Sequence, residues 1–265
     1  MTNLKKYNSF DIETLSNCFT IGFKDYDTNK QKNFVIHESQ NDLISLMKFL
    51  QSLHRHNYTL IGYNSLGFDS QIIEYLINNY HVIKQWSGER IAERIHELAQ
   101  KIISLPIEER WMTLIPEWKL THHHIDIYKQ MHYDSKNKRT SLKWLQFTLR
   151  YENIASMPIN HNDNISSDQI PLILDYMEND IDSTLTFFKK VEYETELRKT
   201  LSSEYNLNLL NASEPRMARD IFGKFLSEKM GIPYRELKER RTYRNRINVK
   251  DILFPYLSFQ ILRLS

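Results

Sequence analysis

The chain has 265 residues, of which 41% are hydrophobic and 26% charged, and its formal net charge is +2. That length holds one large domain, or one domain with a substantial appendage, and the near-neutral charge leaves any nucleic-acid signal to local clustering. The single cysteine, Cys18, excludes an internal disulfide and any Cys-based zinc site, and it fits a reducing compartment. No apolar run approaches the roughly 18 residues that span a bilayer, and the N-terminus has no signal-peptide core, so no membrane partner and a bacterial or phage-infected host cytoplasm are expected. Few glycines with much Asn, Ile, Lys and Tyr look like AT-rich coding bias, a hint of a phage or low-GC source.

Residues Tyr7 to Glu13, Phe19 to Lys24 and Asn33 to His37 read as three strands. Their connections are too short for parallel crossovers, so an antiparallel meander is expected, with Asp25-Tyr26-Asp27-Thr28-Asn29 as a turn. Leu43, Leu46, Met47, Leu50 and Leu53 keep helical spacing behind a capping-box start, Ser39-x-x-Asp42. Tyr58 to Tyr63 returns to strand character and feeds a second helix carrying Ile72, Ile73, Leu76 and Ile77, which implies a crossover and a mixed sheet. The stretch 86–120, helical over Glu89 to Ile103, could be an insertion. His124 to Tyr128 reads as a buried strand and Ser141 to Leu149 as a short helix. A helical region runs from Asp168 through Tyr176, Asp180 and a Leu185/Phe188/Val191 stripe. Another helical segment covers Pro215 to Met230, and the end is basic, then apolar over Ile252 to Leu257.

The chemistry concentrates in acids. In the first strand, alternation turns Asp11 and Glu13 to the same side, where two carboxylates repel unless a hard cation such as Mg²⁺ or Mn²⁺ lies between them. Asp69 ends Asn64-Ser65-Leu66-Gly67-Phe68-Asp69, where a strand gives way to a helix, and it could equally cap that helix. Asp180 follows Tyr176 by one helical turn, so the two share a face; an ordinary exposed pair is the bland alternative. Four acids from distant segments could meet at one sheet edge and hold two ions for phosphodiester chemistry. Asp126 could be a supporting or substitute ligand. His122 and His124 could share an ion only with further ligands, and no nearby Cys supplies one. Arg241, Tyr243 and Arg244, in a basic cluster, could contact phosphates or stack on a base, or form a solvated face.

The order D-x-E, N-x-x-x-F-D, Y-x-x-x-D resembles the three motifs of DEDD 3′→5′ exonucleases of the tyrosine subclass, above all the proofreading domain of family B, phage-like DNA polymerases. Gly62-Tyr63-Asn64 before the middle motif is part of the likeness, which covers roughly residues 5 to 195. The histidine subclass would need His where this chain has Asp175.

The resemblance implies an α/β, ribonuclease-H-like mixed sheet with three antiparallel strands first, flanked by helices. The exonuclease domain would occupy 1–195. A helical, basic extension over 196–265 could begin a larger polymerase. Asp11, Glu13, Asp69 and Asp180 would be the metal-binding and catalytic acids for two Mg²⁺ or Mn²⁺ ions, with Asp11 and Asp180 on one and Asp11, Glu13 and Asp69 on the other. Tyr176 would orient the attacking water, and Asn64 and Phe68 would border the 3′ end of single-stranded DNA. The implied activity is hydrolysis of single-stranded DNA to nucleoside 5′-monophosphates in proofreading, with a polymerase domain in the same or a partner chain. An RNA-trimming exonuclease would share these motifs, and a non-catalytic nucleic-acid-binding module of a replication protein is the alternative from another class.

Overall fold

Alternation along strand β1 (Tyr7–Thr14) sorts its residues onto two faces: Phe10 and Ile12 enter one hydrophobic core, while Tyr7 enters another. In this computed structural model, which describes residues 5–135, 137, 139–240, 243 and 245–249, the expected meander is present. β2 (Phe19–Asp25) runs antiparallel to β1, with Asp11 opposite Gly22 and Glu13 opposite Thr20. β3 (Gln31–His37) is antiparallel to β2. The turn between them closes where Asp25 Oδ1 accepts from the Thr28 backbone N–H (2.8 Å) and hydroxyl (2.7 Å).

The expected capping box does not form. Gln40–Asn41 pairs back on β3 as a short strand, β4. The Asp42 carboxylate accepts from the Val35 backbone N–H at 3.0 Å, and Ser39 bonds to His37, so helix α1 (Leu43–Arg55) begins without a side-chain cap. β5 (Thr59–Gly62) then lies parallel to β1, as a crossover through α1 requires. Helices α2 (Asp69–Ile83), α3 (Gly88–Ser104) and α4 (Ile107–Thr113) follow. β6 (His123–Asp126), parallel to β5, stops earlier than expected. The Asp126 side chain accepts from the Lys129 backbone N–H at 3.4 Å, which turns Ile127 and Tyr128 into a short helix, α5 (Ile127–Gln130). Ser141 caps α6 (Leu142–Thr148), its hydroxyl accepting from the Trp144 backbone N–H at 3.1 Å. α7 (Ile170–Tyr205) is continuous through residue 195.

Among the described residues the strands form one six-stranded sheet of order β4-β3-β2-β1-β5-β6. The larger core joins Phe10, Ile21 and Phe23 to Leu46, Ile72 and Ile95 from α1, α2 and α3, and α7 covers the opposite face with Phe187 and Phe188. Ser9 Oγ donates to the Ile181 carbonyl at 3.1 Å, fixing α7 to β1 one residue beyond Asp180. Gly22 permits this approach: a Cβ there would lie 2.6 Å from Ile181 Cδ1 and 2.8 Å from Met177 Cε. The fold is therefore a mixed α/β sheet with helices on both faces, of the ribonuclease-H-like kind.

The chain divides into two compact units, Met1–Met217 and Ala218–Ser265. The second holds most of α8 (Glu214–Met230) and α9 (Tyr234–Glu239). There the Tyr234 ring lies against Gly223, and Gly231 takes φ 64° where α8 ends. The apolar segment 252–257 lies outside the described residues.

Arg198 of α7, fully buried, ties the segment that follows α7 to the end of α5. Its guanidinium donates to the carbonyls of Ala212 (3.0 Å) and Gln130 (2.8 Å) and to the Glu194 carboxylate (2.8 Å). Removing it would leave these acceptors unpaired in the interior. Arg198→Met should cost about 3–5 kcal/mol in urea unfolding; a loss below about 1 kcal/mol would show that these bonds contribute little.

Candidate metal centre

Asp11 and Glu13 share the β1 face that meets α7, and Asp180 stands on α7 opposite them. One carboxylate oxygen from each of the three lies within 4.8 Å of the others. Asp69, at the first position of α2, is also buried. It stands outside that trio, but its charge acts on both Asp11 and Glu13.

The electrostatics record four acids crowded into a poorly solvated place. Loss of solvation, then the charges of Asp69, Glu13 and Asp180, hold the Asp11 carboxyl well above the usual range. Burial first, then Asp180 and Asp69, push Glu13 up to about 8. Burial raises Asp69 to about 7, even though its own and the Ile12 backbone N–H groups favour the charged form. Lys143 of α6 supplies a counter-charge: its Nζ lies 2.7 Å from Asp180 Oδ1 and 4.3 Å from the centre of the Tyr176 ring. Gln146 Nε2, one turn along α6, donates to the same Asp180 oxygen at 3.0 Å. Tyr176 is half-buried beside Asp180, and burial with that acid's charge drives its phenol upward, so it stays protonated. The set is all oxygen and strongly acidic, the chemistry that hard divalent cations take.

The other candidates fall elsewhere. Asp182, two residues beyond Asp180, forms an ion pair with Lys24, and Asp175, where the histidine subclass would have His, is exposed. His122 Nε2 donates to the Leu50 carbonyl at 3.0 Å, while His124 Nδ1 bonds to the Ser70 hydroxyl at 3.2 Å. Burial lowers both, His124 to about 3. Asp126 is a backbone clamp: its oxygens accept from the N–H groups of Asn64 (2.9 Å) and Leu66 (3.0 Å), fixing the turn that leads into Asp69. Burial raises Asp126 to about 6 against those bonds and the Lys129 charge. Asn64 adopts the left-handed conformation at φ 60° in that turn. With Phe68, Glu13, Gln100 and Arg110 it lines a cleft of about 440 Å³. Tyr243 is exposed, and Arg241 and Arg244 lie outside the described residues.

Sequence reasoning missed Lys143 and Gln146 as neighbours of Asp180. Their i, i+3 spacing puts them on one side of a predicted helix, but nothing local says which segment that side meets.

The fold recurs in a solved structure. A family B DNA polymerase from the hyperthermophilic archaeon Pyrobaculum calidifontis is similar over 85% of this chain, with a TM-score of 0.51 and 14% identity. At that identity the likeness shows the fold alone, and this chain spans 29% of the polymerase. No protein-family model and no curated protein matches the chain. Among the described residues, no helix is long and apolar enough to cross a membrane. The fold and site thus define an α/β, ribonuclease-H-like chain with an acidic cluster able to bind a metal ion.

The raised carboxyls give a pH dependence of definite sign. With folded values raised to about 7 and about 8, the folded chain holds more protons than the unfolded one from about pH 4 upward. Without divalent cations, stability should therefore fall as pH rises across that window. Mg²⁺ or Mn²⁺ should raise the Tm more at about pH 8 than at about pH 5, where protons compete for the same oxygens. Thermal melts with and without the ion check this, and equal shifts at both pH values would contradict it.

Proposed function

We propose that the chain is a metal-dependent 3′→5′ exonuclease of the DEDD tyrosine subclass, shortening single-stranded DNA to nucleoside 5′-monophosphates. The observation that carries the reading is the trio Asp11, Glu13 and Asp180, with ligand oxygens within 4.8 Å of one another. These residues belong to the segments whose pattern resembles the exonuclease motifs. The fold shared with a family B polymerase supports the same reading, and so does the presence of Tyr176 and Asp69 beside the trio. Polarity and the preference for DNA come from the resemblance. The same reading gives the chain a proofreading role beside a polymerase domain, in the same or a partner chain.

Asp11 and Asp180 would hold one Mg²⁺ or Mn²⁺ ion, and Asp11, Glu13 and Asp69 a second. Bound ions would supply an activated water and a counter-charge for the departing 3′ oxygen. The chain's own groups do the positioning. Tyr176, kept protonated and one helical turn from Asp180, orients the nucleophilic water, a geometric contribution to rate. Lys143 steadies Asp180 and presents a fixed positive charge toward an incoming phosphodiester. Asn64 and Phe68 give the cleft beside Glu13 an amide and an aromatic wall, which suit a terminal nucleotide.

Asp11→Ala should abolish Mg²⁺-dependent digestion of a labelled single strand while circular dichroism shows a folded protein; full activity would refute the assignment. Tyr176→Phe should lower kcat roughly tenfold to a hundredfold with a milder change in KM. Unchanged turnover would remove Tyr176 from the mechanism.

A further inference from the structure

Trp144 and Phe147 of α6 are 60% and 65% exposed, yet they are ordered against each other: their ring centroids lie 5.7 Å apart with 29° between planes. The helix does not need them for anchorage, because Leu145 and Gln146 supply its buried side. Two large aromatic rings turned to water at neighbouring helical positions pack against no core among the described residues, and such a surface marks a place of contact.

Position and charge identify the contact. Phe147 follows Lys143 by four residues, so it lies one helical turn along from the ammonium that touches Asp180 at 2.7 Å. Trp144 precedes Phe147 by three. The segment from Arg139 to Arg150 contains three cations, Arg139, Lys143 and Arg150, and no acid. Arg139 and Arg150 are exposed. On the flank of α6 that meets α7, a hollow of about 320 Å³ is lined by two cations, Arg150 and Lys190, and one acid, Glu152. Interleaved cations and stackable rings, beginning beside the acids, complement a phosphodiester backbone with unpaired bases. A protein partner would find the apolar rings as well, but the excess of cations over acids along this segment, Arg139, Lys143 and Arg150 against none from 139 to 150, favours the polyanion.

We propose that Trp144 and Phe147 form a stacking platform for bases of the single strand that leads into the acidic site. This rests on the exonuclease reading and adds a subsite to it. Both rings are sequence-tolerant supports, so the platform would grip a strand of any composition and feed its 3′ end toward Asp11, Glu13 and Asp180.

The test measures binding of a fluorescent oligothymidylate to the whole chain in Ca²⁺ by anisotropy, and digestion of the same strand in Mg²⁺. Trp144→Ala and Phe147→Ala should each weaken binding roughly tenfold, the double variant more, and Trp144→Phe should recover most of the loss. In digestion the effect should appear in KM rather than kcat, and it should grow with strand length. Melting curves of the variants establish that they are folded. Undiminished strand affinity in the folded double variant would overturn the platform and leave the face to a protein partner. If the unsubstituted chain binds the strand through these rings but never digests it, the exonuclease reading fails while the binding surface stands.

Discussion

The crowding of carboxylates in a poorly solvated place is the constraint on which the candidate site depends. Asp11 and Glu13 are forced to one face by strand alternation, and α7 is packed so closely on β1 and β2 that Asp180 joins them. A fold that depended only on its own contacts would gain stability by dispersing these charges. Instead, proton uptake is raised at Asp11, Glu13 and Asp69, and Lys143 is brought in from another helix. Such an arrangement is costly alone and favourable once a hard cation shares it, which ties the stability of the region to its proposed chemistry.

Much of the surrounding structure serves to hold the acids in place. The narrow contact at Gly22 admits α7, and the Ser9 bond to Ile181 fixes its height on the sheet. Asp126 governs Asp69 at one remove, by clamping the Asn64–Leu66 turn through two backbone N–H groups. Asn211 continues this support: it accepts from the Asp126 backbone N–H at 2.8 Å and donates to the His124 carbonyl at 2.8 Å. The residues after the long helix α7 are therefore part of the first unit's framework, bound to the end of β6 and, through it, to the turn before Asp69.

What could be read from sequence was what local periodicity and short-range chemistry encode. The meander, the shared face of Asp11 and Glu13, the parallel crossover and the helix bearing Tyr176 and Asp180 all follow from spacing alone. The failures come from tertiary competition for the same side chains. Asp42 was expected to start a helix with Ser39, yet its carboxylate bonds to Val35 across the β3–β4 hairpin. Asp126, considered as a ligand, is engaged by the backbone, and its capping of α5 also shortens β6. Lys143 and Gln146 acquire meaning only once α6 meets α7, a long-range fact that no window of sequence contains. Strand alternation marks Asp11 and Glu13 as a pair and one helical turn links Asp180 to Tyr176, whereas nothing local says that α6 and α7 will meet.

The central claim is that the acidic cluster removes nucleotides from a 3′ end. A time course with matched single strands, labelled at either the 5′ or the 3′ end and incubated with Mg²⁺, addresses it most directly. The account predicts immediate release of labelled mononucleotide from the 3′-labelled strand, stepwise shortening of the 5′-labelled one, and neither without the ion. Internal cuts, mononucleotide released first from the 5′ end, or no cleavage at all would contradict it.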